Sequence, residues 1–295
     1  MKLSFLTGNV NDLEKAAKLG FDGIELNVRA FGNPATGALD KEAIAQARQL
    51  ANKFHVGIHS LAFYDVSGSQ YNENPKLLVP AYERVFDALE ALELDVVASM
   101  GGFDASKDWD GNIQLFADRF GPVAEIAEKR GVKVAFENWM AVHGRLPFKP
   151  VNIGGSPDTW DAMFKAVPSK ALGLEFDPSH LYWQGIDHIR ALREFKDRIY
   201  HVHAKDTEML PERRYRGGVN GDYFRFRIPG YGEINWPQFI STLDEIGYTG
   251  DIAIEHEDPV YWNDKFDEGL DRGWQVLNPL IHPQERSWQN VNFTK

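Results

Sequence analysis

Val132-Lys133-Val134-Ala135-Phe136-Glu137 is a short apolar run that ends on a carboxylate, and Leu172-Gly173-Leu174-Glu175-Phe176-Asp177 repeats the design further on. Runs of this length, apolar almost throughout, read as strands buried on both faces. Six more are found by working outward: Leu3–Leu6, Gly23–Leu26, Val56–His59, Val96–Ala98, Ile199–His203 and Ile252–Glu255. Between them the period becomes helical, as in Ala43, Ile44, Ala47, Leu50, Ala51 and Phe54, or Tyr82, Val85, Phe86, Leu89 and Leu92. Asp40 and Ser156 stand where helix N-caps are expected, and Gly20 and Gly131 where a left-handed residue ends a helix. Eight strand–helix units predict an α/β chain forming a single (β/α)8 TIM barrel over residues 1–295, with an open doubly wound sheet as the alternative.

Two segments are too long for plain turns. Trp139–Ser156 follows the fifth strand and Thr207–Trp236 follows the seventh, both at strand C-termini, where a barrel carries its active site. The second is rich in Arg and aromatic residues. It reads as a lid or as a subunit contact, in a homo-oligomer or with an accessory partner.

The polar residues at the strand ends point to a site. Glu137, Asp177 and Glu255 end apolar strands, and His203 lies near the end of another. A carboxylate there is costly to bury unless a cation or donor meets it. The ends of consecutive strands ring one cavity, so these four residues are expected to hold one divalent metal. Their hard O/N donors suit Mn²⁺ first, with Mg²⁺, Co²⁺ and Zn²⁺ as alternatives. His201 and His203 share a face, with His203 nearer the mouth. Pro178 keeps Asp177 extended, and His180 can return to the same cavity.

Phe136-Glu137-Asn138, Phe176-Asp177-Pro178-Ser179-His180, His201-Val202-His203-Ala204-Lys205-Asp206, Ile254-Glu255-His256-Glu257-Asp258 and the stretch from Arg227 to Trp236 resemble the xylose isomerase-like barrel superfamily of sugar phosphate isomerases and epimerases. The resemblance covers nearly the whole chain. It implies Glu137, Asp177, His203 and Glu255 as metal ligands, His180 as a substrate contact, and the two glutamates as the groups that exchange a proton with substrate. It also extends to enzymes that cleave oxidised glycosides by elimination. The multi-zinc endonuclease branch fits poorly, because Ser99-Met100-Gly101-Gly102 offers none of the extra histidine ligands.

The leading expectation is therefore proton abstraction next to a sugar carbonyl, through a metal-stabilised enediolate. The alternative is a lyase acting on 3-oxo-glycosides, with His143 or a residue of the Thr207–Trp236 segment as the acid for the leaving group. A non-catalytic sugar-binding or partner subunit comes third. Lys205, His59, Arg227 and Trp139 join His180 as candidate substrate contacts. Each has a structural alternative: an ion pair for Lys205 and Arg227, hydrogen bonding behind the site for His59, packing for Trp139. His256 is expected to point away from the interior.

Composition narrows the rest. The formal net charge of −11 disfavours nucleic acid. The absence of cysteine excludes disulfides and thiol chemistry. No apolar run approaches the roughly 20 residues that span a bilayer, and a cytoplasmic location is the default expectation.

Overall fold

The structure, a computed structural model, describes residues 1–67, 71, 74–140, 142–143, 149–219 and 222–282. Eight parallel strands close into a barrel: β1 Lys2–Thr7, β2 Gly23–Asn27, β3 Gly57–Phe63, β4 Val96–Ser99, β5 Lys133–Glu137, β6 Leu172–Phe176, β7 Ile199–Ala204 and β8 Asp251–Ile254. They neighbour one another in chain order, and β1 pairs with β8 from Lys2↔Asp251 to Phe5↔Ile254. That pairing removes the open-sheet alternative.

The outer layer contains α1 Asp12–Leu19, α2 Lys41–Phe54, α3 Leu78–Leu92, α4 Trp109–Arg130, α5 Pro157–Ala166, α6 Pro178–Gln184, α7 His188–Glu194, α8 Pro211–Gly217, α9 Trp236–Glu245 and α10 Phe266–Ile281. Their ends follow the expected chemistry. Asp40 accepts from the Ala43 N–H at 3.0 Å, and the Ser156 N–H donates to the Thr159 hydroxyl at 3.1 Å. Gly20 and Gly131 close their helices at φ 81° and 68°, where a side chain would be strained.

Alternation along the strands separates two chemistries. Phe136 points outward and meets Phe120 edge-on at 4.7 Å, within a cluster that also holds Phe116, Tyr82 and Phe63. Its neighbour Glu137 is thereby turned inward. The interior is unusually polar, since Glu25, Ser60, Glu175, His201, His203 and Asp251 are all buried. The strand register shifts at Ile24/Glu25 and again at Leu174/Glu175. Such irregularities re-aim side chains beside sites.

Strand three corrects the sequence reading. It runs on from Gly57 through Ser60-Leu61-Ala62-Phe63, so His59 lies near its start and not at its C-terminal end. The apolar residues after Ser60 continue the strand that a histidine had been taken to finish.

Both long segments carry structure of their own. The first contains a two-stranded hairpin, Val142–His143 against Lys149–Pro150. In the second, Asp206–Met209 pairs antiparallel with Phe224–Arg227, with α8 between them. Among the described residues, no helix is long and apolar enough to cross a membrane.

Candidate metal centre

The four expected ligands converge. Donor atoms of Glu137, Asp177, His203 and Glu255 all lie within 4.8 Å of one another. His203 Nδ1 is 3.1 Å from Glu255 Oε2 and 3.7 Å from Glu137 Oε1. The strand ends that present them are lashed together by two buried asparagines. Asn138 bonds both the N–H and the carbonyl of Asp177, at 2.6 and 2.8 Å. Asn152 donates to the carbonyls of Glu137 and Trp139, at 2.9 and 2.8 Å. These locks escaped the sequence reading, because an asparagine that bonds backbone leaves no periodic signal.

The donor set tests well against a cation. Glu137 Oε1 and Asp177 Oδ2 are buried and make no aligned hydrogen bond; nor does either ring nitrogen of His180. The His180 Nε2 atom stands 3.4 Å from Glu137 Oε1 and 3.3 Å from Asp177 Oδ2, close enough for Coulomb attraction but without hydrogen-bond geometry. Buried carboxylate oxygens left in that state are costly unless a further positive group meets them. Three carboxylates and one imidazole suit a hard divalent ion.

Among the described residues, Lys205 is the lysine that opposes these acids. Its Nζ lies 2.5 Å from Glu255 Oε2, 3.0 Å from Glu257 Oε2 and 3.3 Å from Asp177 Oδ2, under the Phe226 ring at 4.5 Å. Burial opposes its charge, but the Glu255, Glu257 and Asp177 carboxylates outweigh it and hold the ammonium well above its ordinary pKa. In return, Lys205 and His203 overcome burial and hold Glu255 well below the usual carboxylate range.

Beneath the mouth lies a second cluster. His203 Nε2 is 2.8 Å from Glu25 Oε2 and 3.0 Å from Glu175 Oε1. Glu175 also meets His201 Nδ1 at 3.0 Å and the Tyr64 hydroxyl at 2.9 Å. His201 Nε2 meets Ser60 Oγ at 3.0 Å and Asp251 Oδ2 at 3.5 Å. Burial pushes the Glu25 carboxyl up, and the neighbouring Glu175 adds to that. Burial opposes ionisation of Glu175 too, but His203 and His201 pull it down to about 2. His201 is raised to about 10, because Glu25, Asp251 and Glu175 together outweigh its burial. Glu175, Tyr64 and Asp251 were not picked out from sequence. Glu175 sits two residues before Asp177 and so shares its inward face, which was the available signal.

The remaining expectations divide. His180 and Lys205 stand at the centre. Trp139 is half-buried directly after β5. His59 bonds Asp251 at 2.8 Å near the opposite end of the barrel, so its assignment as a mouth contact is corrected. Arg227 is forked between Glu208 and Asp258, with Nε 2.8 Å from the latter, so its charge pins the loop and does not face the cavity. His256 stacks on Phe266 of α10 at 4.3 Å, outside the interior as expected. The His143 side chain lies outside the described residues.

A profile described as "Xylose isomerase-like TIM barrel" matches residues 13–276. The chain belongs to this family. A protein of unassigned function from Methanocaldococcus jannaschii is 28% identical over 257 residues, covering 84% of this chain and 78% of its own. The inosose dehydratase of Geobacillus thermodenitrificans is 25% identical over 169 residues, about half of either chain (53% and 50%). Among solved structures, the IolI protein with a bound zinc atom superimposes with a TM-score of 0.73 at 20% identity, covering 95% and 98% of the two chains. The 3-keto-D-glucoside 4-epimerase of E. coli gives 0.68 at 15%, covering 93% and 99%. At these identities the likenesses to solved structures show the shared fold.

Proposed function

We propose that this protein is a divalent-metal-dependent isomerase or epimerase of a sugar or related polyol that carries a carbonyl group. The observation that carries this reading is the set of buried, hydrogen-bond-free acceptors on Glu137 and Asp177, converging with His203 and Glu255. A divalent ion bound by these four residues, Mn²⁺ first, supplies Lewis acidity to the substrate's carbonyl oxygen. The zinc atom bound by the IolI protein, which shares the fold, supports a metal in this barrel.

The protein's own groups manage the proton. Glu137 and Glu255 stand at the ends of different strands, β5 and β8, so one removes the proton next to the carbonyl and the other returns it. Lys205 keeps Glu255 ionised and donates to a substrate oxygen. His180, with both ring nitrogens free of hydrogen bonds, offers a second donor. Trp139, two residues after Glu137, is a further candidate to contact the substrate.

A second reading starts from the same deprotonation. If the carbon beyond carries a leaving group, elimination follows, as in a dehydratase or a lyase of 3-oxo-glycosides. The inosose dehydratase match supports it. His180 or Lys205 would protonate the departing oxygen, and His143 remains a candidate for that role.

The test is incubation of ketoses and 3-oxo-glycosides with the Mn²⁺-loaded protein in D₂O. Deuterium next to the carbonyl in an intact skeleton supports the isomerase; loss of water or an aglycone supports elimination. Glu137→Gln and Glu255→Gln are each expected to lower deuterium uptake at least 100-fold. Unchanged uptake in either removes that residue from the mechanism.

A further inference from the structure

We propose that Glu175 is a positioning residue for the metal centre: beside Glu25, which bonds His203 Nε2, its charge helps to hold the proton of His203 on Nε2, so that Nδ1 presents its lone pair to the mouth. The inference rests on the metal reading above.

A ligating imidazole must offer a bare nitrogen, and what the other nitrogen bonds decides which one that is. In His203 the two nitrogens face different worlds. Nδ1 looks to Glu255 and Glu137, two of its fellow ligands, at 3.1 and 3.7 Å. Nε2 looks inward to Glu25 and Glu175, at 2.8 and 3.0 Å. Glu25 is the hydrogen-bond acceptor on the inner side, and Glu175, 3.0 Å away as an ion-pair contact, adds its charge there. The outer carboxylates, Glu255 and Glu137, are fellow ligands that a bound ion would engage, so the inner pair favours the tautomer with hydrogen on Nε2.

Glu175 is built to stay in place. Tyr64 donates to its Oε2 at 2.9 Å, and His201 Nδ1 reaches Oε1 at 3.0 Å. His201 is held from below by Ser60 and Asp251, and Asp251 by His59 at 2.8 Å and by Ser4. His59, misplaced at the mouth by the sequence reading, thus becomes the foot of a column of hydrogen bonds and ion-pair contacts that ends on His203. The register shift in the β6–β7 pairing falls between Leu174 and Glu175, which turns this carboxylate toward the histidines.

Four donors of this inner set, from Glu25, Glu175, His201 and His203, also lie within 4.8 Å of one another. They do not read as a second metal site. Each already has a hydrogen-bond partner, whereas the outer set holds the unpartnered Glu137 Oε1 and Asp177 Oδ2. An acceptor that orients a ligating histidine typically changes metal affinity about 10–100-fold when lost.

The experiment is Mn²⁺ titration by electron paramagnetic resonance on wild type and Glu175→Gln, with circular dichroism to confirm folding. The variant is expected to bind about 10–100-fold more weakly. In zinc-loaded wild type labelled with ¹⁵N-histidine, long-range NMR correlations should place hydrogen on His203 Nε2. Equal affinity in the folded variant, hydrogen on Nδ1, or two metals per chain would overturn the proposal. A wild type that takes up no metal overturns instead the reading beneath it. Should Glu175→Gln not fold, the wild-type NMR signature still decides.

Discussion

Asp206 Oδ2 accepts a hydrogen bond from the Trp236 indole N–H at 2.9 Å, joining the two ends of the long segment after β7. The same carboxylate accepts from the N–H groups of Thr207, Gly230 and Ile234, at 2.8, 2.9 and 3.0 Å. Four donors on one buried acid make it the anchor of the loop. Asp206→Asn turns an amide NH₂ toward those donors and is expected to cost about 1–3 kcal/mol. Trypsin should then cut faster at the exposed Arg213, Arg214 and Arg216 of α8. An unchanged melting temperature and cleavage rate would show that the anchor is dispensable.

Arg227 secures the other side of that loop. Its partner Asp258 is fully buried and also accepts from the N–H groups of Ile228 and Val260, at 3.1 and 2.8 Å. Arg227→Ala strands most of a buried charge, and we expect it to destabilise the fold by about 3 kcal/mol. A substrate-binding arginine would behave differently, raising KM while leaving the melting temperature alone. Thermal melts and steady-state kinetics on the one variant separate the two.

The barrel was legible because its strands are apolar runs and its helices have a clear apolar face. The ring of ligands was legible for a related reason: Glu137, Asp177, His203 and Glu255 break those runs at their C-terminal ends. What stayed hidden was everything set by local departures from periodicity. The end of β3 was obscured by His59, which reads as a polar terminus but is satisfied by Asp251, distant in sequence. Glu175 looked like an interruption in an apolar run, because its partners come from β7 and the turn after β3. Arg227 looked available for a ligand, since nothing local announces Asp258 as its counter-ion.

Metal removal should leave the fold intact but weaker. Without an ion the clustered carboxylates of Glu137, Asp177 and Glu255 share Lys205 as a counter-charge, so the native state alone gains from binding. At a free Mn²⁺ concentration 100 times Kd the gain is about 2.7 kcal/mol. The melting temperature is expected to fall on EDTA treatment and to recover with Mn²⁺. Asp177→Asn should abolish the recovery. A transition that ignores both EDTA and Mn²⁺ would favour the non-catalytic sugar-binding alternative.

The inner column sets a pH dependence on the metal-free protein. His201 carries a pKa of about 10 in the fold against an ordinary 6.5. A raised pKa means the folded state binds the proton more tightly than the unfolded chain. The resulting stabilisation is complete below pH 6.5 and is lost as pH rises through about 10. Within that window the slope for one proton is at most about 1.4 kcal/mol per pH unit. Urea midpoints measured in EDTA should therefore decline steadily from neutral to alkaline pH, and His201→Gln should flatten the decline while lowering stability at neutral pH. A wild-type midpoint that holds level across this range would mean His201 is buried neutral, with Glu175 and Asp251 balanced by other donors.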